Sequence, residues 1–423
     1  MTMSPFKKYL TLLMLSLGGG TIYIVPYYKT NYYDALQAAT GLSNTQLGML
    51  VTVYGALSMI FYIPGGIIAD KISARILFTF SMISTGLLTL WYATLPSYKI
   101  LIVIHLLMAV TSVLTFWSAY LKGVRALGDD KEQGKLYGLS DAIRCLAGLA
   151  VSFVALSLIG NAVTSEAGIA KSLAFFGFLY IAIGVICFFL LPKKNNEGSE
   201  ATNGEETATF SMKSLKLIFK LPAIWLISFD IFFWMCAYNT LAYSTPYFTQ
   251  VYGVSESTAG TVGILRMFLI AAIAAPLAGF LSDKMKSASK LLSYLGVIAI
   301  ILSAIYIVAP SSASFTIVMI ITTLLVGGAF AAARGIYFAT LAETKIPLYI
   351  TGLATGIISI IAYSSDLFMH VMIGGWLDKY GVEGFKITFI WMTACTVGAF
   401  ITSVLIRRLV VKINGKDSVA VKE

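Results

Sequence analysis

Long apolar runs constrain this chain more than any other feature it has. Stretches of about 20 mostly uncharged residues recur along it, each long enough to cross a hydrocarbon core of roughly 30 Å at about 1.5 Å of helical rise per residue. Twelve occur, near residues 9–31, 45–67, 76–95, 99–121, 137–160, 170–191, 222–248, 256–281, 290–309, 313–336, 350–375 and 386–407. A soluble protein of this size must cover its surface with polar groups. A chain that is 58% hydrophobic and 12% charged, with a mean hydropathy of +0.84, cannot do so. Lipid leaves backbone polar groups no outside partner, so each run is expected as an α-helix and the fold as an all-α membrane protein. Lys7 and Lys8 precede the first run as in a signal peptide, but no clear small-residue cleavage pattern follows, and the run reads as a retained helix.

The basic residues orient the spans. With the N-terminus in the cytoplasm, 23 of the 30 Lys and Arg fall in cytoplasmic segments, two arginines lie inside spans, and only Lys29, Lys99, Lys171, Lys379 and Lys386 lie outside. Both termini are then cytoplasmic, and the net charge of +10 is mostly this topological bias, which leaves little support for a nucleic-acid partner. Cys145, Cys187, Cys236 and Cys395 all fall within spans, without the paired Cys or His spacing of a zinc site, so neither a metal nor another cofactor is expected. No Gly-x-x-x-x-Gly-Lys-Ser/Thr phosphate loop occurs, which disfavours an ATP-driven pump. No set of nucleophile, base and orienting group is recognisable, so no catalytic residue is assigned and the chain is not read as an enzyme.

After the sixth span the composition changes abruptly. "KKNNEGSEATNGEETAT" (Lys193 to Thr209) is too polar to pack and reads as a solvated linker, followed by a basic amphipathic stretch before Pro222. The organisation expected is a six-helix bundle over 1–192, a cytoplasmic linker over 193–221, a second bundle over 222–408 and a tail over 409–423. The halves echo each other. Pro64-Gly-Gly66-x-x-x-Asp70-Lys71 matches Pro276-Leu-Ala-Gly279-x-x-x-Asp283-Lys284 at offsets of 212 and 213. Lys122-Gly123 matches Arg334-Gly335 at 212, Gly138 matches Gly352 at 214, and Pro26 matches Pro246 at 220. Two parallel six-helix halves imply a pseudo-twofold axis along the membrane normal, with a solute site near mid-depth between halves that rock about it.

Gly66-Ile-Ile-Ala-Asp70-Lys71-Ile-Ser-Ala-Arg75 resembles the loop 2–3 signature of the major facilitator superfamily, Gly-x-x-x-Asp-(Arg/Lys)-x-Gly-(Arg/Lys)-(Arg/Lys), and "GFLSDKMKSASK" (Gly279 to Lys290) resembles its echo in loop 8–9. Ser73 stands where Gly is usual and Ala74 where a base is usual. The resemblance extends over the whole chain through span count, linker and repeat, and implies twelve helices in two pseudo-symmetric bundles that work by alternating access. A glycine at the end of span two lets helices approach closely. By resemblance, Asp70 contacts the cytoplasmic end of span eleven and a base ending span four, Lys122 or Arg125, and latches the inner side. Gly66, Lys71, Arg75, Gly279, Asp283, Lys284 and Arg334 complete the expected gating set. Lys71 and Arg75 also have a simpler reading as topology-setting charges.

Ionisable groups at membrane depth are costly and usually functional. Arg144 in span five and Arg266 in span eight lie deep, and in this superfamily these spans meet at the interface between halves, so by resemblance both face one cavity. Two fork-shaped permanent cations suit a carboxylate, phosphate or sulfonate. Equally open is that Asp141, three residues before Arg144, neutralises it, and that Asp230 or Asp366 does so for Arg266. In span eleven Gly352, Gly356, Ser359, Tyr363, Asp366 and His370 step by three or four and would share one helical face. Asp366 is the candidate proton-coupling carboxyl, His370 a relay and Asp230 a third candidate. Tyr23, Tyr27, Trp117, Trp234, Tyr238 and Tyr363 are candidates to contact an organic solute, against ordinary packing. Pro26 and Pro246 are expected to break the outer ends of spans one and seven.

The reading is a monomeric secondary transporter in the inner or plasma membrane of a bacterial-type cell, moving a small organic anion with proton coupling. A drug, amphiphile or neutral-sugar carrier of the same fold is the alternative, and a non-transporting receptor is disfavoured by the absence of a large extramembrane domain.

Overall fold

The computed structural model describes residues 4–129, 132–192, 218–346 and 348–420, which form helices and connecting turns with no strand among them. The span-forming helices are Pro5–Thr21, Asn44–Lys71, Ala74–Ala93, Tyr98–Arg125, Gln133–Gly160, Ser165–Leu190, Pro222–Tyr252, Glu256–Met285, Ala288–Val308, Ala313–Glu343, Leu348–Tyr380 and Glu383–Ala420, several of them internally broken. Ten pass a test of length and hydropathy for crossing a membrane. The last helix runs on to Ala420, through most of the segment read as a tail, and the linker over 193–217 lies outside the described residues.

Short polar residues start these helices. Ser43, Ser73, Thr164, Ser255 and Ser287 each accept a backbone N–H of the first turn, and Ser43 adds a capping box with Gln46. This explains the serine at the motif's glycine position: Ser73 is the N-cap of span three, as Ser287 is of span nine. The prolines act as their chemistry dictates. Proline cannot donate to the carbonyl four residues back; span one's α-helix ends with Ile22 as its C-cap, four before Pro26, and span seven's first helix ends with Ala242 as its C-cap, four before Pro246.

Contacts divide the chain into two compact units. Among the described residues the first holds 4–129, 132–192, 245–269 and 370–378; the second holds 218–244, 270–346, 348–369 and 379–420. Within the first, spans three and six, one and five, and two and four pack together; within the second the same pattern recurs for spans nine and twelve, seven and eleven, and eight and ten. Spans one and five nearly touch by their backbones, and a Cβ on Gly20 would overlap the Arg144 carbonyl oxygen.

Three spans depart from the continuous α-helix their sequence suggests. Span four passes through a π-helical turn at Val110–Leu114, span eight through one at Leu265–Ile270, and span eleven through a 3₁₀ segment at Tyr363–Leu367. The span-eleven stripe is therefore not one α-helical face, because three residues per turn rather than 3.6 rotate Tyr363, Asp366 and His370 against the residues before them. Gly356 keeps an open face, where a Cβ would meet no other element within 4 Å among the described residues, and the Gly352 side lies outside the described residues.

Candidate functional site

In the first unit Arg144 lies against Trp117, another of the candidate residues. Span one is reduced to Gly18-Gly19-Gly20 where span five crosses it, so the Arg144 side chain runs along the backbone, its Cδ 3.3 Å from a Cβ built on Gly19. The guanidinium lies over Trp117 at 5.3 Å and Tyr120 at 5.6 Å from the ring centroids, a cation–π cage. The cage floor is fixed from beneath: the Tyr120 hydroxyl is 2.7 Å from Ser140 Oγ, which is 2.5 Å from Ser16 Oγ, all buried. Arg144 Nη1 donates to Asp141 Oδ1 at 3.0 Å, with the Asp141 side chain 70% exposed and that of Arg144 26%. Arg144 Nε is buried and meets no acceptor among the described residues.

Tyr23 and Tyr27 pack against spans four and two. The Tyr23 hydroxyl donates to the Ser112 carbonyl at 3.1 Å and its ring meets Phe116 edge-on, while Tyr27 meets Tyr54 edge-on at 5.4 Å. Ser112 belongs to the π-turn of span four, where widened geometry leaves carbonyls for side chains; Ser81 Oγ likewise bonds the Thr111 carbonyl. Arg266 sits in the π-turn of span eight, only 7% exposed, and Phe268 of the same turn fills the space that a Cβ on Gly148 of span five would need. His370 is buried, its backbone carbonyl packed against Gly48 of span two.

In the second unit Arg334 lies 4.4 Å from the centre of the Tyr238 ring, and the Tyr337 and Tyr363 hydroxyls are 3.1 Å apart. Asp366 accepts from Asn239 Nδ2 at 2.5 Å, and the same amide lies 3.4 Å from Ser365 Oγ. Asp230 is buried against span twelve, its Oδ1 accepting from Thr402 at 2.9 Å and Ser403 at 2.6 Å. Trp234 is wholly buried, edge-on to Phe330, with its indole N–H lacking an acceptor among the described residues.

The gating set is rearranged in detail. The close approach at the end of span two belongs to Gly65, where a Cβ would stand 2.7 Å from the Leu114 carbonyl oxygen; a Cβ on Gly66 or Gly279 would meet no other element within 4 Å among the described residues, and Gly335 approaches Ala275 instead. The motif glycines Gly66 and Gly279 are thus not the contact points, because those helices cross one residue or one element away. Lys122 Nζ donates to the Ala69 carbonyl at 2.6 Å, tying span four to the end of span two through the backbone. The Asp70 side chain lies outside the described residues. Arg75 lies 4.0 Å from the centre of the Phe188 ring; Lys71, Arg125, Asp283 and Lys284 are exposed.

Sequence reasoning missed Asn239, Tyr337, Tyr120 and the Ser16–Ser140 pair. A polar Asn within an apolar run was the readable signal for Asn239. Nothing in the sequence distinguishes Tyr120 or Tyr337 among 23 tyrosines.

The sequence profile of the Major Facilitator Superfamily matches residues 10–369. The chain is 31% identical over 407 residues to the inner membrane protein YihN of Escherichia coli K12, covering 95% of this chain and 96% of that protein. It is 30% identical over 378 residues to the inner membrane protein YqcE of the same organism, covering 89% and 88%. Among solved structures it resembles a bacterial homologue of the human lysosomal transporter Spinster, with a TM-score of 0.78 at 16% identity over 97% of this chain and 98% of that one. It resembles the nucleoside transporter NupG at 0.73 and 15%, covering 95% and 99%. It also resembles a D-xylose-proton symporter at 0.70 and 16%, covering 95% and 97%.

Proposed function

The chain belongs to the Major Facilitator Superfamily, and from that premise we propose that it is a proton-coupled secondary transporter of a small organic anion, such as a carboxylate, sugar acid, organic phosphate or sulfonate. It works by alternating access, as a monomer, with both termini in the cytoplasm. The observation that carries the reading is Arg144, held in an aromatic cage with only its Nη1 on a water-exposed carboxylate and a buried Nε that meets no acceptor among the described residues. An exposed ion pair is worth only about 0–1 kcal/mol. A substrate anion that receives the guanidinium fork away from water gains more than the pair it displaces. Arg266 supplies a second cation, and Asp366, which accepts from the Asn239 amide, is the carboxyl that takes up and releases the proton.

Screening compound classes for a rise in melting temperature identifies the solute class, since a ligand that prefers the folded state stabilises it. Uptake of the best hit into proteoliposomes by wild type and Arg266→Gln then tests the role: loss of anion uptake in a folded variant supports it, and retained uptake refutes it.

One observation favours a neutral hydroxylated solute instead, in keeping with the xylose and nucleoside transporters it resembles: the Arg144–Asp141 pair already balances the charge. Stabilisation by sugars or nucleosides, with no response to anions, would select this reading.

A further inference from the structure

The outer end of span eleven carries the same residue pattern that ends spans two and eight on the inner face. Gly374-Gly-Trp-Leu-Asp378-Lys379 reads Gly-x-x-x-Asp-Lys, as do Gly66 to Lys71 and Gly279 to Lys284. Here its geometry is fully formed, within the first compact unit.

Asp378 sits on the N-terminus of span two with four hydrogen bonds. Its Oδ1 accepts from Asn44 N at 2.9 Å and Asn44 Nδ2 at 2.8 Å; its Oδ2 accepts from Thr45 N at 2.8 Å and Thr45 Oγ1 at 2.6 Å. The first N–H groups of a helix have no partner within it, and their end of the helix carries partial positive charge, so a carboxylate is the group best suited to this place. Two glycines permit the approach. A Cβ on Gly374 would overlap the Asn44 carbonyl, and one on Gly48, a turn further along, would overlap the His370 carbonyl. Both obstacles are backbone, which cannot swing aside. A second carboxylate ties the same face: Asp34 accepts from Thr249 Oγ1 at 2.7 Å and Gln250 Nε2 at 2.9 Å, joining the short helix Tyr33–Thr40 to the outer end of span seven.

We propose that Asp378 is the outer-face latch of the transport cycle. Its carboxylate on the N-terminus of span two holds the outer ends of spans two and eleven together while the protein is closed to the outside, and it lets go when that side opens. The proposal does not depend on which solute is carried.

The test uses the full chain in right-side-out proteoliposomes. Thr52, buried two turns beyond Thr45 on the same helix, is made the sole cysteine, with the four native cysteines replaced by serine. A membrane-impermeant thiol reagent is added outside. Asp378→Asn keeps the shape and removes the charge; it is expected to raise the labelling rate at residue 52 about tenfold, a shift of about 1.4 kcal/mol. A rise below about threefold, less than 1 kcal/mol, overturns the latch. So does a parallel rise at a sole Cys187 in the buried face of span six, which would report general loosening. Should Asp378→Asn not reach the membrane folded, Thr45→Val combined with Asn44→Ala removes the two side-chain donors and is judged by the same criterion.

Discussion

Arg144 and Asp141 form an ion pair that two readings treat in opposite ways, and paired substitutions separate them. If Arg144 holds the solute, Arg144→Gln removes charge-assisted hydrogen bonds worth roughly 1.5–3 kcal/mol, and anion affinity should fall about 10- to 150-fold. Asp141→Asn acts the other way, by removing a competing carboxylate. The Asp141 side chain is 70% exposed, so its hold on Arg144 is modest. Releasing it is expected to tighten anion binding by up to about fivefold, from a pair worth at most about 1 kcal/mol. The assay is the ligand-dependent rise in melting temperature of each purified variant, titrated with the best anion from the compound screen. Opposite signs are the expected result. If both substitutions weaken binding, or neither changes it, the pair is structural and the anion site lies elsewhere.

Asp366→Asn is expected to leave solute exchange intact while abolishing the dependence of uptake on an imposed pH gradient, read in proteoliposomes with and without that gradient. Gly20→Ala drives a methyl group into the Arg144 carbonyl, a backbone obstacle; overpacking of this kind costs about 1–3 kcal/mol, and both the melting temperature and anion affinity should fall. Lys8 Nζ donates to Glu132 Oε2 at 2.7 Å, and this hydrogen bond holds the Glu132 carboxyl below its ordinary value of 4.5. A lowered acid stabilises the fold above its unfolded value and loses that contribution as pH falls through the native one. Wild type should therefore melt above Glu132→Gln at neutral pH, and the gap should close on acidification below about pH 4.5; a gap that persists there contradicts the assignment.

Much of the architecture was legible because it rests on strong, repetitive physics. Apolar length fixed the spans, and two prolines fixed where spans one and seven break, since a missing N–H has the same effect in any context. What was not legible depends on a few tenths of a turn. The π-turns at Val110–Leu114 and Leu265–Ile270 and the 3₁₀ segment at Tyr363–Leu367 rotate side chains relative to a regular helix, and neighbouring side chains bond the carbonyls that the first of these releases. For the same reason the close contact fell on Gly65 rather than Gly66: the two differ by about 100° around the helix, and only the crossing helix decides which one it meets. Asp378 carried its signal in plain sight as a third copy of Gly-x-x-x-Asp-Lys, but its partner, the N-terminus of span two, is 333 residues away in sequence from the Thr45 end of the bond and could be found only in three dimensions.

Transport itself is the most direct test. The best-stabilising anion is loaded into proteoliposomes at high concentration and entry of the labelled compound is followed from outside. A carrier that alternates between faces predicts saturable entry accelerated by the internal load, abolished in Arg266→Gln protein that still folds and melts cooperatively. Entry that neither saturates nor responds to the internal load, or that proceeds equally well in Arg266→Gln, would contradict the mechanism proposed for this chain.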